Sequence, residues 1–479
     1  MAKILIHTLG SSGDLNPFLA LALELKARGH EIHFALSPKF TEKARALGFS
    51  ATVAGEDPDW DSELMRRMLI MHRIQPIQIM FEEALIPAIG PAAAALEPLV
   101  READLFLSHT IQLAAPAVAE RTGTPWISAS PATLIYETGV FPPPSVAWKG
   151  CPAWLSRLGW QIGRGMFRDL DTLAAAEYKK LGVAPRPNIL SGGSYSRYLT
   201  LGLWSSSFFP RPADWPSWFQ VGGYARWDGS SPPTLQSAPL LRGPIPGSHT
   251  QGKERAWHGG EGAASGAPTG SVLLPRIGAG GPPCILFTLG SSVVNHPGEF
   301  WRTALSALAQ TNWSGILLGA PADFPVPDTL RNRVQIVPYA PYADVFPQAD
   351  AIVHQGGVGT TQAACYYGIP SIVVPRGFDQ FENAAHIQRE GWGLRLLPHD
   401  LSPTLLRLRL ERLLHSAPMN ARLADLSRRM QAEPNESRSA DLLEEVLAGK
   451  DFSEPGTAQE KRRRLRLKYR PIRRRSSIG

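Results

Sequence analysis

The sequence has few of the residues that hold small secreted domains and zinc sites together. Its 479 residues include only three cysteines, Cys151, Cys284 and Cys365. Their number is odd, and their spacing matches neither the CxxC pairs of zinc sites nor a disulfide framework. The scarcity of cysteine therefore favours a reducing compartment, and we expect the cytoplasm.

Long apolar runs are also missing. No stretch of about 18 apolar residues occurs, so no transmembrane helix is predicted. The first residues, MAKILIHTLG, contain one lysine and a short apolar run that breaks at Gly10, without the longer apolar region of a signal peptide. We therefore expect these residues to form a first β-strand.

Acidic residues are absent from the tail at 461–479, which holds ten lysines and arginines. The formal net charge of the whole chain is +7, so the preceding 460 residues carry −3. The basic character thus belongs to the tail and not to the body of the protein. Such a tail is usually a solvated, disordered end, and contact with an anionic membrane or with nucleic acid is the alternative.

What the sequence does contain is enough apolar material for two cores. At 43% hydrophobic residues, the chain is longer than the roughly 250 to 300 residues at which single cores stop growing. Short apolar runs alternate with helical patterns, as in KILIHTLG, PFLALALELKARGH and EIHFAL, which is typical of parallel βαβ units. We predict an α/β protein with Rossmann-like domains at 1–227 and 284–450, joined by a Gly/Pro/Ser-rich linker at 228–283 and followed by a basic tail at 451–479.

The pentapeptide TLGSS occurs twice, starting at Thr8 and at Thr288, each time after a strand-like run. Ligands of open α/β sheets bind beyond the carboxyl ends of strands, so both loops lie where a ligand is expected. A Gly-Ser turn also serves simply to reverse the chain. The repeat therefore indicates two similarly built domains that bring their strand ends to one cleft.

The segment DAIVHQGGVGTTQAACYYGIPSIVVPRGFDQFENA, residues 350–384, is more specific. A strand leads into His354, three glycines and two threonines that open a helix, which together suit a diphosphate. The GK[ST] ending of a P-loop and the GxGxxG spacing of a dinucleotide turn are both missing, which disfavours ATP and NAD. Asp379 and Gln380 follow the next strand and offer a carboxylate and an amide to sugar hydroxyls.

This segment resembles the donor-binding signature of the GT-B nucleotide-sugar glycosyltransferases, a family that includes the rhamnosyltransferases of rhamnolipid synthesis and bacterial macrolide, carotenoid and sterol glucosyltransferases. The resemblance extends over most of the sequence, including GSSGDLNPFLALALELKARGH and FFPRPADWPSWFQVGGYARWDGS. It implies two Rossmann-like domains facing a central cleft, with the acceptor bound by the first domain and the nucleotide sugar by the second.

The resemblance also implies roles for individual residues of the second domain. It places the diphosphate on His354, beside Gly357, Gly359 and Thr360, with Ser291 and Ser292 completing the cradle. Gln362 stands where many relatives have a glutamate on the ribose, so the hydrogen bond is kept and the charge is lost. Asp379 and Gln380 match the pair that holds the hexose, and Tyr339 lies near the position where a plant tryptophan stacks on the base.

In the first domain, Asp14 falls where plant relatives have a catalytic histidine and several bacterial ones an aspartate. The resemblance makes Asp14 the general base that takes the acceptor proton while the diphosphate leaves. Relatives often place a second carboxylate after the strand equivalent to DLFLS, and His109 occupies that position here. We predict that His109 hydrogen-bonds Asp14 or relays its proton, with Ser108 a weaker candidate.

Each of these residues also has a structural interpretation. Asp14 could cap the helix that we expect to begin near Asn16 and to end with a C-cap at Gly29, and Asp379 could cap a helix that starts at Glu382. His354 could be a satisfied core histidine. The stretch GEDPDWDSE has the DxD spacing of metal-dependent glycosyltransferases, but it reads as an acidic loop, and we expect no metal. Trp148, Trp154 and Trp160 belong to a core or line a hydrophobic acceptor pocket.

The sequence thus predicts an inverting, metal-independent transferase without a cofactor. It would move a hexose or deoxyhexose from a nucleotide diphosphate to a hydroxyl of a small hydrophobic or lipid acceptor. Two alternatives remain: a nucleotide-sugar 2-epimerase-like isomerase, and a catalytically idle partner protein of the same fold. We expect no specific nucleic-acid partner, and a peripheral contact of the basic tail with the inner face of the membrane is the riskier hypothesis.

Overall fold

The computed structural model describes residues 1–57, 62–70, 75–133, 136–141, 151–227, 281–291 and 293–452. Most of the predicted linker, Ser292, Trp148 and the tail beyond residue 452 lie outside these residues. Within them the strands form two sheets, one of seven strands and one of six, and all strand pairs are parallel. This arrangement confirms the α/β prediction. We call residues 1–227 the N-terminal half and residues 281–452 the C-terminal half.

The sheet of the N-terminal half has the strand order β3-β2-β1-β4-β5-β6-β7. Its strands are β1 (Lys3–His7), β2 (Glu31–Leu36), β3 (Ser50–Val53), β4 (Leu105–His109), β5 (Trp126–Ser130), β6 (Thr200–Gly202) and β7 (Phe219–Val221). β1, β4 and β5 are buried along almost their whole length, because helices cover both faces of a parallel sheet.

The helices of this half are α1 (Ser12–Ala27), α2 (Pro38–Ala46), α3 (Glu63–Ile70), α4 (Gln75–Ile79), α5 (Ile89–Arg101), α6 (Ala115–Thr122), α7 (Ala153–Met166) and α8 (Arg168–Lys180), with a π-helical turn at Met80–Leu85. α1 starts four residues before the Asn16 expected from the sequence. It ends before Gly29, whose φ of 87° provides the predicted left-handed cap.

The sheet of the C-terminal half has the order β10-β9-β8-β11-β12-β13. Its strands are β8 (Cys284–Thr288), β9 (Ser314–Leu318), β10 (Val334–Val337), β11 (Ala351–His354), β12 (Ser371–Val373) and β13 (Gly393–Arg395). Its helices are α9 (Phe300–Ala309), α10 (Tyr342–Val345), α11 (Val358–Tyr366), α12 (Gln380–Glu390), α13 (Pro403–Leu414), α14 (Ala417–Ala432) and α15 (Asn435–Leu447). Short 3-10 turns lie at Asp328–Leu330, Phe346–Gln348 and Pro398–Asp400.

Each of the two sheets reverses its strand order beside its first strand, β1 or β8. The chain runs outward from β1 through β2 to β3 and then returns to β4 on the other side of β1, and β8 to β11 repeat this path. The crevice at such a reversal is where open α/β sheets bind ligands. The two TLGSS loops follow β1 and β8, so each pentapeptide lies at the reversal of its own sheet.

The two halves are joined by a shared apolar cluster. Aromatic residues of the segment 195–224 pack with residues of α11, α12 and α14, and the cluster contains Trp204, Phe208, Trp215, Tyr366, Trp392 and Met430. The last helix, α15, returns to the N-terminal half, where Leu442 and Leu443 belong to the same core as Phe18 of α1. Arg28 at the end of α1 fixes this contact through Asp441 and Glu444, each at 2.7 Å.

None of the helices in the described ranges is, by itself, long and apolar enough to cross a membrane. The segments Gln75–Leu85 and Ile89–Arg101 meet the length and composition only as a pair, and they are bent by 61° relative to each other.

Candidate functional site

In each half a histidine ends the strand that lies beside the first strand of the sheet, β1 or β8. His109 is the last residue of β4, and His354 is the last residue of β11. Each Nδ1 accepts the backbone N–H two residues later, from Ile111 at 3.1 Å and from Gly356 at 3.0 Å. In the neutral ring the proton therefore lies on Nε2. Both Nε2 atoms are buried without a hydrogen-bond partner among the described residues.

Asp14 is held at the start of α1 by a capping box. Its Oδ2 accepts the Ser11 backbone N–H at 2.7 Å and the Ser11 hydroxyl at 3.0 Å, while Ser11 Oγ accepts the Gly13 N–H at 3.2 Å. Gly10 makes room for this arrangement, because a Cβ there would lie 2.5 Å from Asp14 Oδ2, and its φ is 106°. The capping interpretation of Asp14 is thus correct for one oxygen and leaves Oδ1 for another role.

The structure places Asp14 near His109, but without the hydrogen bond that the sequence predicted. Asp14 Oδ1 lies 3.6 Å from His109 Nε2, and the Asp14 side chain is 29% exposed while that of His109 is 5% exposed. This distance is too long for a hydrogen bond but close enough for a direct electrostatic interaction. Ser108, the weaker candidate, instead accepts the Trp126 indole N–H at 2.9 Å and is completely buried.

A second histidine lies behind this pair. His7 Nδ1 donates to the Ala35 carbonyl at 2.7 Å, and His7 Nε2 lies 2.6 Å from Gln112 Nε2. Burial, together with the nearby His109, lowers the pKa of His7 to about 4, although the Ala35 hydrogen bond opposes the shift. His7 is therefore neutral near pH 7 and adds no charge to the surroundings of Asp14 and His109.

The loop after β11 exposes the start of α11. Gly356 has a φ of 94°, and a Cβ there would lie 2.5 Å from Val373 Cγ1. Gly357 is the N-cap residue of α11 and has no side chain to cap the helix, while a Cβ at Gly359 would meet nothing within 4 Å. The Thr360 hydroxyl lies 2.9 Å from the Tyr342 hydroxyl. An uncapped helix start beside open space suits an anion.

His354 lies under this loop with its whole side chain buried. Burial lowers its pKa to about 3, so the ring is neutral near pH 7 and its Nε2–H is a donor. The adjacent Gln355 also has a buried side-chain oxygen without a hydrogen-bond partner in the described part of the chain. Buried polar atoms are seldom left unpaired, so His354 is not the satisfied core histidine of the alternative interpretation.

Asp379 reaches the site from the start of α12. Its Oδ2 accepts Asn383 Nδ2 at 2.9 Å, and Asn383 Nδ2 also donates to the Gly356 carbonyl at 2.8 Å. Burial and then the negative charge of Asp14 raise the pKa of Asp379 to about 6, while the Asn383 hydrogen bond opposes this shift. The Asp14 charge thus adds to burial in favouring the protonated form of Asp379.

The neighbours of Asp379 fix the turn between β12 and α12. Gln380 Oε1 accepts the backbone N–H groups of Arg376 at 2.8 Å and Gly377 at 3.2 Å, and Gln380 is 1% exposed. Phe378 has a φ of 54°, which costs energy for a residue with a side chain. This strained backbone immediately before Asp379 indicates that the turn is held in one specific conformation.

Three other predicted donor residues have different surroundings. Gln362 is 1% exposed, and its Oε1 accepts the Ser205 N–H at 2.8 Å across the two halves, which leaves only its Nε2–H groups for a ribose hydroxyl. Tyr339 is 68% exposed just after β10, and Ser291 is exposed just after β8. Ser292 lies outside the described residues.

The remaining predictions concern the tryptophans and the DxD-like stretch. Trp160 donates its indole N–H to the Phe141 carbonyl at 3.1 Å, whereas Trp154 is 67% exposed and therefore not part of a core. Asp57 accepts the Lys39 backbone N–H at 3.1 Å, and Asp59 and Asp61 lie outside the described residues. Among the residues that are described, no three histidine, cysteine or acidic side chains group as metal ligands.

Sequence reasoning missed the residues that hold the site in place. His7 directly precedes the first TLGSS, and its position at a buried strand end was an available signal. Asn383 is part of the quoted FENA segment but received no role. Arg376 links two loops of the C-terminal half by donating to the carbonyls of His296 and Pro297, and nothing in the local pattern indicates this long-range contact.

The assembled site has two chemically different parts. The N-terminal half offers a carboxylate oxygen facing an imidazole, an arrangement that can take a proton from a hydroxyl. The C-terminal half offers an uncapped helix start, a neutral imidazole N–H and a buried carboxylate, which can bind an anion and hydroxyl groups.

Comparison with family models matches both halves of the chain. Residues 4–84 match the glycosyltransferase family 28 N-terminal domain. Residues 321–446 match the C-terminal domain of erythromycin biosynthesis protein CIII-like proteins. The first match contains Asp14, and the second contains His354, Asp379 and Asn383.

Curated relatives align with most of the chain. An oleandomycin glycosyltransferase of Streptomyces antibioticus is 26% identical over 476 residues, which is 95% of this chain and 93% of the relative. A sterol 3-beta-glucosyltransferase of Arabidopsis thaliana is 28% identical over 421 residues, which is 83% of this chain and 60% of that longer protein.

A solved structure shares the architecture of both halves. The spinosyn rhamnosyltransferase SpnG complexed with thymidine diphosphate superposes with a TM-score of 0.61 and 16% identity, covering 93% of this chain and 99% of SpnG. At this identity the likeness concerns the fold.

Proposed function

Because this chain is a glycosyltransferase with the GT-B fold, we propose that it transfers a hexose or deoxyhexose from a nucleotide diphosphate to a hydroxyl of a small hydrophobic or lipid acceptor. The relatives act on an oleandomycin-type or sterol acceptor according to their names, and the structural neighbour is a rhamnosyltransferase with thymidine diphosphate. These names support an apolar acceptor and a nucleotide-diphosphate donor.

The C-terminal half would hold the donor. The diphosphate would lie at the start of α11, against Gly357, Gly359 and Thr360, with Ser291 and Ser292 beside it and the His354 Nε2–H as a neutral donor. Asp379, fixed by Asn383, would accept hydroxyl hydrogens of the sugar. Gln380 would act by holding the turn of Asp379, because its own oxygen is already used by backbone N–H groups.

The N-terminal half would supply the general base. Asp14 Oδ1 would take the acceptor proton while Oδ2 remains fixed by Ser11, so the carboxylate keeps one orientation throughout the reaction. The His109 Nε2–H faces Asp14 Oδ1 and would stabilise the negative charge before proton transfer. His109 is thus a positioning residue, and the base is the carboxylate.

We propose direct displacement with inversion. The acceptor oxygen, losing its proton to Asp14, would bond to the anomeric carbon as the bond to the diphosphate oxygen breaks on the opposite face. The leaving diphosphate would be stabilised by the α11 start and His354, and no metal is required in this scheme. The proposal rests above all on one observation: a partly exposed carboxylate oxygen, Asp14 Oδ1, lies 3.6 Å from the buried His109 Nε2.

An incubation with a panel of nucleotide sugars tests this function against its alternatives. With hydrophobic alcohols present, we expect a glycoside of inverted anomeric configuration, in the presence of EDTA as well. Formation of an epimerised nucleotide sugar without acceptor would instead identify a 2-epimerase-like isomerase. Donor binding without either product would identify a catalytically idle partner protein.

We further propose that the enzyme works in the cytoplasm. The support is that Cys151, Cys284 and Cys365 are all free thiols in the structure, as expected in a reducing compartment. Release of active enzyme only from an oxidising compartment on cell fractionation would contradict this location.

A further inference from the structure

Helix α7 is attached to the protein by a narrow face. Of its 14 residues, Ser156 is the one that is buried. Ser156 Oγ lies 3.0 Å from the Thr138 carbonyl, and Trp160 donates to the Phe141 carbonyl at 3.1 Å. These bonds fix the rotation of α7 about its axis, so the direction of its opposite face is determined.

That opposite face is an apolar stripe, which we define as Trp154, Leu158, Ile162 and Met166. These side chains are 67%, 41%, 58% and 55% exposed, and they recur every fourth residue along one side of the helix. Single exposed apolar residues are normal, but a continuous exposed row marks a surface that contacts something else.

The stripe lies in a segment without negative charge. Residues 138–168 contain no acidic residue and four basic ones, Lys149, Arg157, Arg164 and Arg168. Arg157 and Arg168 are exposed, while Arg164 pairs with Glu137. Arg157 belongs to α7 and Arg168 is the first residue of α8, so an exposed arginine lies on either side of the stripe's last turns. Exposed apolar side chains beside arginines are typical of helices that lie in the interface of an anionic bilayer.

The described part of the chain ends beside a segment that borders α7. The carbonyl of Phe452, the last described residue, accepts the Ser217 hydroxyl at 2.7 Å. Residues 213–216, immediately before Ser217, line a cleft of about 600 Å³ together with Arg157, Gln161 and Arg164 of α7. The ten basic residues of the tail share their sign of charge with α7, so repulsion disfavours the tail as the cover of the stripe.

We propose that α7 docks the enzyme on an anionic phospholipid bilayer. The stripe enters the boundary between headgroups and acyl chains, Arg157 and Arg168 contact phosphate groups, and the ten basic residues of the tail add electrostatic attraction to the anionic surface.

Vesicle flotation of the full chain tests this proposal, using phosphatidylcholine vesicles with and without phosphatidylglycerol. We expect binding to the anionic vesicles, and the double variant Leu158→Glu/Ile162→Glu should bind roughly tenfold or more weakly. Leu408→Glu is the matched control, since Leu408 is 47% exposed on α13, and it should bind normally. Unchanged binding of the double variant, or no binding of the native chain, would overturn the proposal.

A second measurement on the native protein avoids any dependence on folding of the double variant. Brominated acyl chains should quench part of the tryptophan fluorescence, and the Trp154→Phe variant should lose that part. Equal quenching in both proteins would place Trp154 outside the lipid and contradict the docking geometry.

Two further experiments distinguish lipid docking by the stripe from docking by the tail and from dimer formation. Deleting residues 461–479 should weaken binding at low salt but leave the stripe-dependent part, and turnover on a water-soluble acceptor should be unchanged. Loss of all binding on tail deletion, with no effect of the double variant, would assign docking to the tail alone. If light scattering shows that the double variant separates a dimer while lipid binding is unchanged, the stripe is a contact between two copies.

Discussion

In both halves a similar backbone turn follows the strand at which the order of the sheet reverses, but the side chains at this turn differ. Gly10 and Gly290, the glycines of the two TLGSS loops, have φ values of 106° and 61°. His354 pairs with Thr288 in register, and His109 follows the His7–Ser108 pair at the corresponding point. Both histidines accept an N–H from two residues later.

The difference begins directly after the pentapeptide. In the N-terminal half a helix starts at Ser12, and its capping box turns Asp14 into the crevice. In the C-terminal half the next helix starts only at Phe300, the residue corresponding to Asp14 is Val294, which packs against the apolar core of that half, and Ser291 stays exposed. One half therefore places a carboxylate after its pentapeptide and the other an apolar side chain, as the proposed base and donor roles require. The length of the loop after TLGSS, more than the pentapeptide itself, separates the two roles.

Among the variants that test this difference between the halves, Asp14→Asn should have the largest effect, and the effect should be on turnover. The amide keeps the size of the side chain and can still accept the Ser11 N–H, but it cannot take a proton. We expect turnover to fall roughly 10² to 10⁴-fold with donor affinity preserved. Steady-state kinetics and calorimetric donor binding measure the two quantities, and His109→Ala should cost less. Near-normal turnover in Asp14→Asn would mean that this carboxylate only caps α1.

His354→Ala should produce the opposite pattern. Loss of one hydrogen bond to a charged group should weaken binding of the nucleotide diphosphate roughly 10 to 100-fold. Binding of the nucleoside without phosphates should change little, which localises the loss. His109→Ala is the matched control in the other half and should leave diphosphate affinity unchanged. Equal losses in both histidine variants would show that the halves are not specialised in this way.

The two loop glycines should be similarly costly to replace. Ala at either position must adopt a positive φ, and its Cβ would lie 2.5 Å from Asp14 Oδ2 in Gly10→Ala and 2.1 Å from Gln355 Nε2 in Gly290→Ala. We expect each variant to lose about 1 to 2 kcal/mol of unfolding free energy in chemical denaturation. Gly10→Ala should then reduce turnover selectively and Gly290→Ala donor affinity. Full stability of either variant would contradict the backbone assignment.

The smallest expected effect is a shift in the pH dependence of donor binding, which tests whether the Asp14 charge acts on Asp379. Donor affinity should rise as the pH increases through about 6, because ionised Asp379 accepts sugar hydroxyl hydrogens better than the protonated form. Removing the Asp14 charge favours ionisation of Asp379, so Asp14→Asn should move the midpoint to lower pH. Burial also raises the pKa of Glu382, to about 7, so Glu382→Gln is the control. A midpoint unmoved in Asp14→Asn would contradict the coupling.

Much of this arrangement could be predicted from the sequence because it depends on local patterns. The strand EIHFAL was predicted with its observed limits, and Gly29 ends α1 as expected. The parallel sheet brings Asp14 and His109 to one edge, although the hydrogen bond predicted between them is not formed. The donor and catalytic roles assigned to these residues stay predictions.

Other features depend on contacts between distant segments, which local patterns do not contain. The Gln362 oxygen binds Ser205, 157 residues away, which the sequence did not indicate, and the ribose role of Gln362 stays a prediction. The residue pattern of α15 predicts an apolar face without indicating that this face packs on α1 and not on its own half. The dual role of the Asp14 oxygens likewise follows from the rotation of one side chain, which residue type alone does not determine.

The return of α15 to the first sheet has a consequence for synthesis on the ribosome. Ala440, Leu442, Leu443 and Val446 complete the core around α1, so the first 227 residues emerge with part of that core uncovered. At the usual elongation rates of about 5 to 20 residues per second, the missing helix follows roughly 10 to 40 s later. During that interval the nascent first half carries an apolar groove that chaperones can bind, and a message truncated before α15 yields a product prone to aggregation.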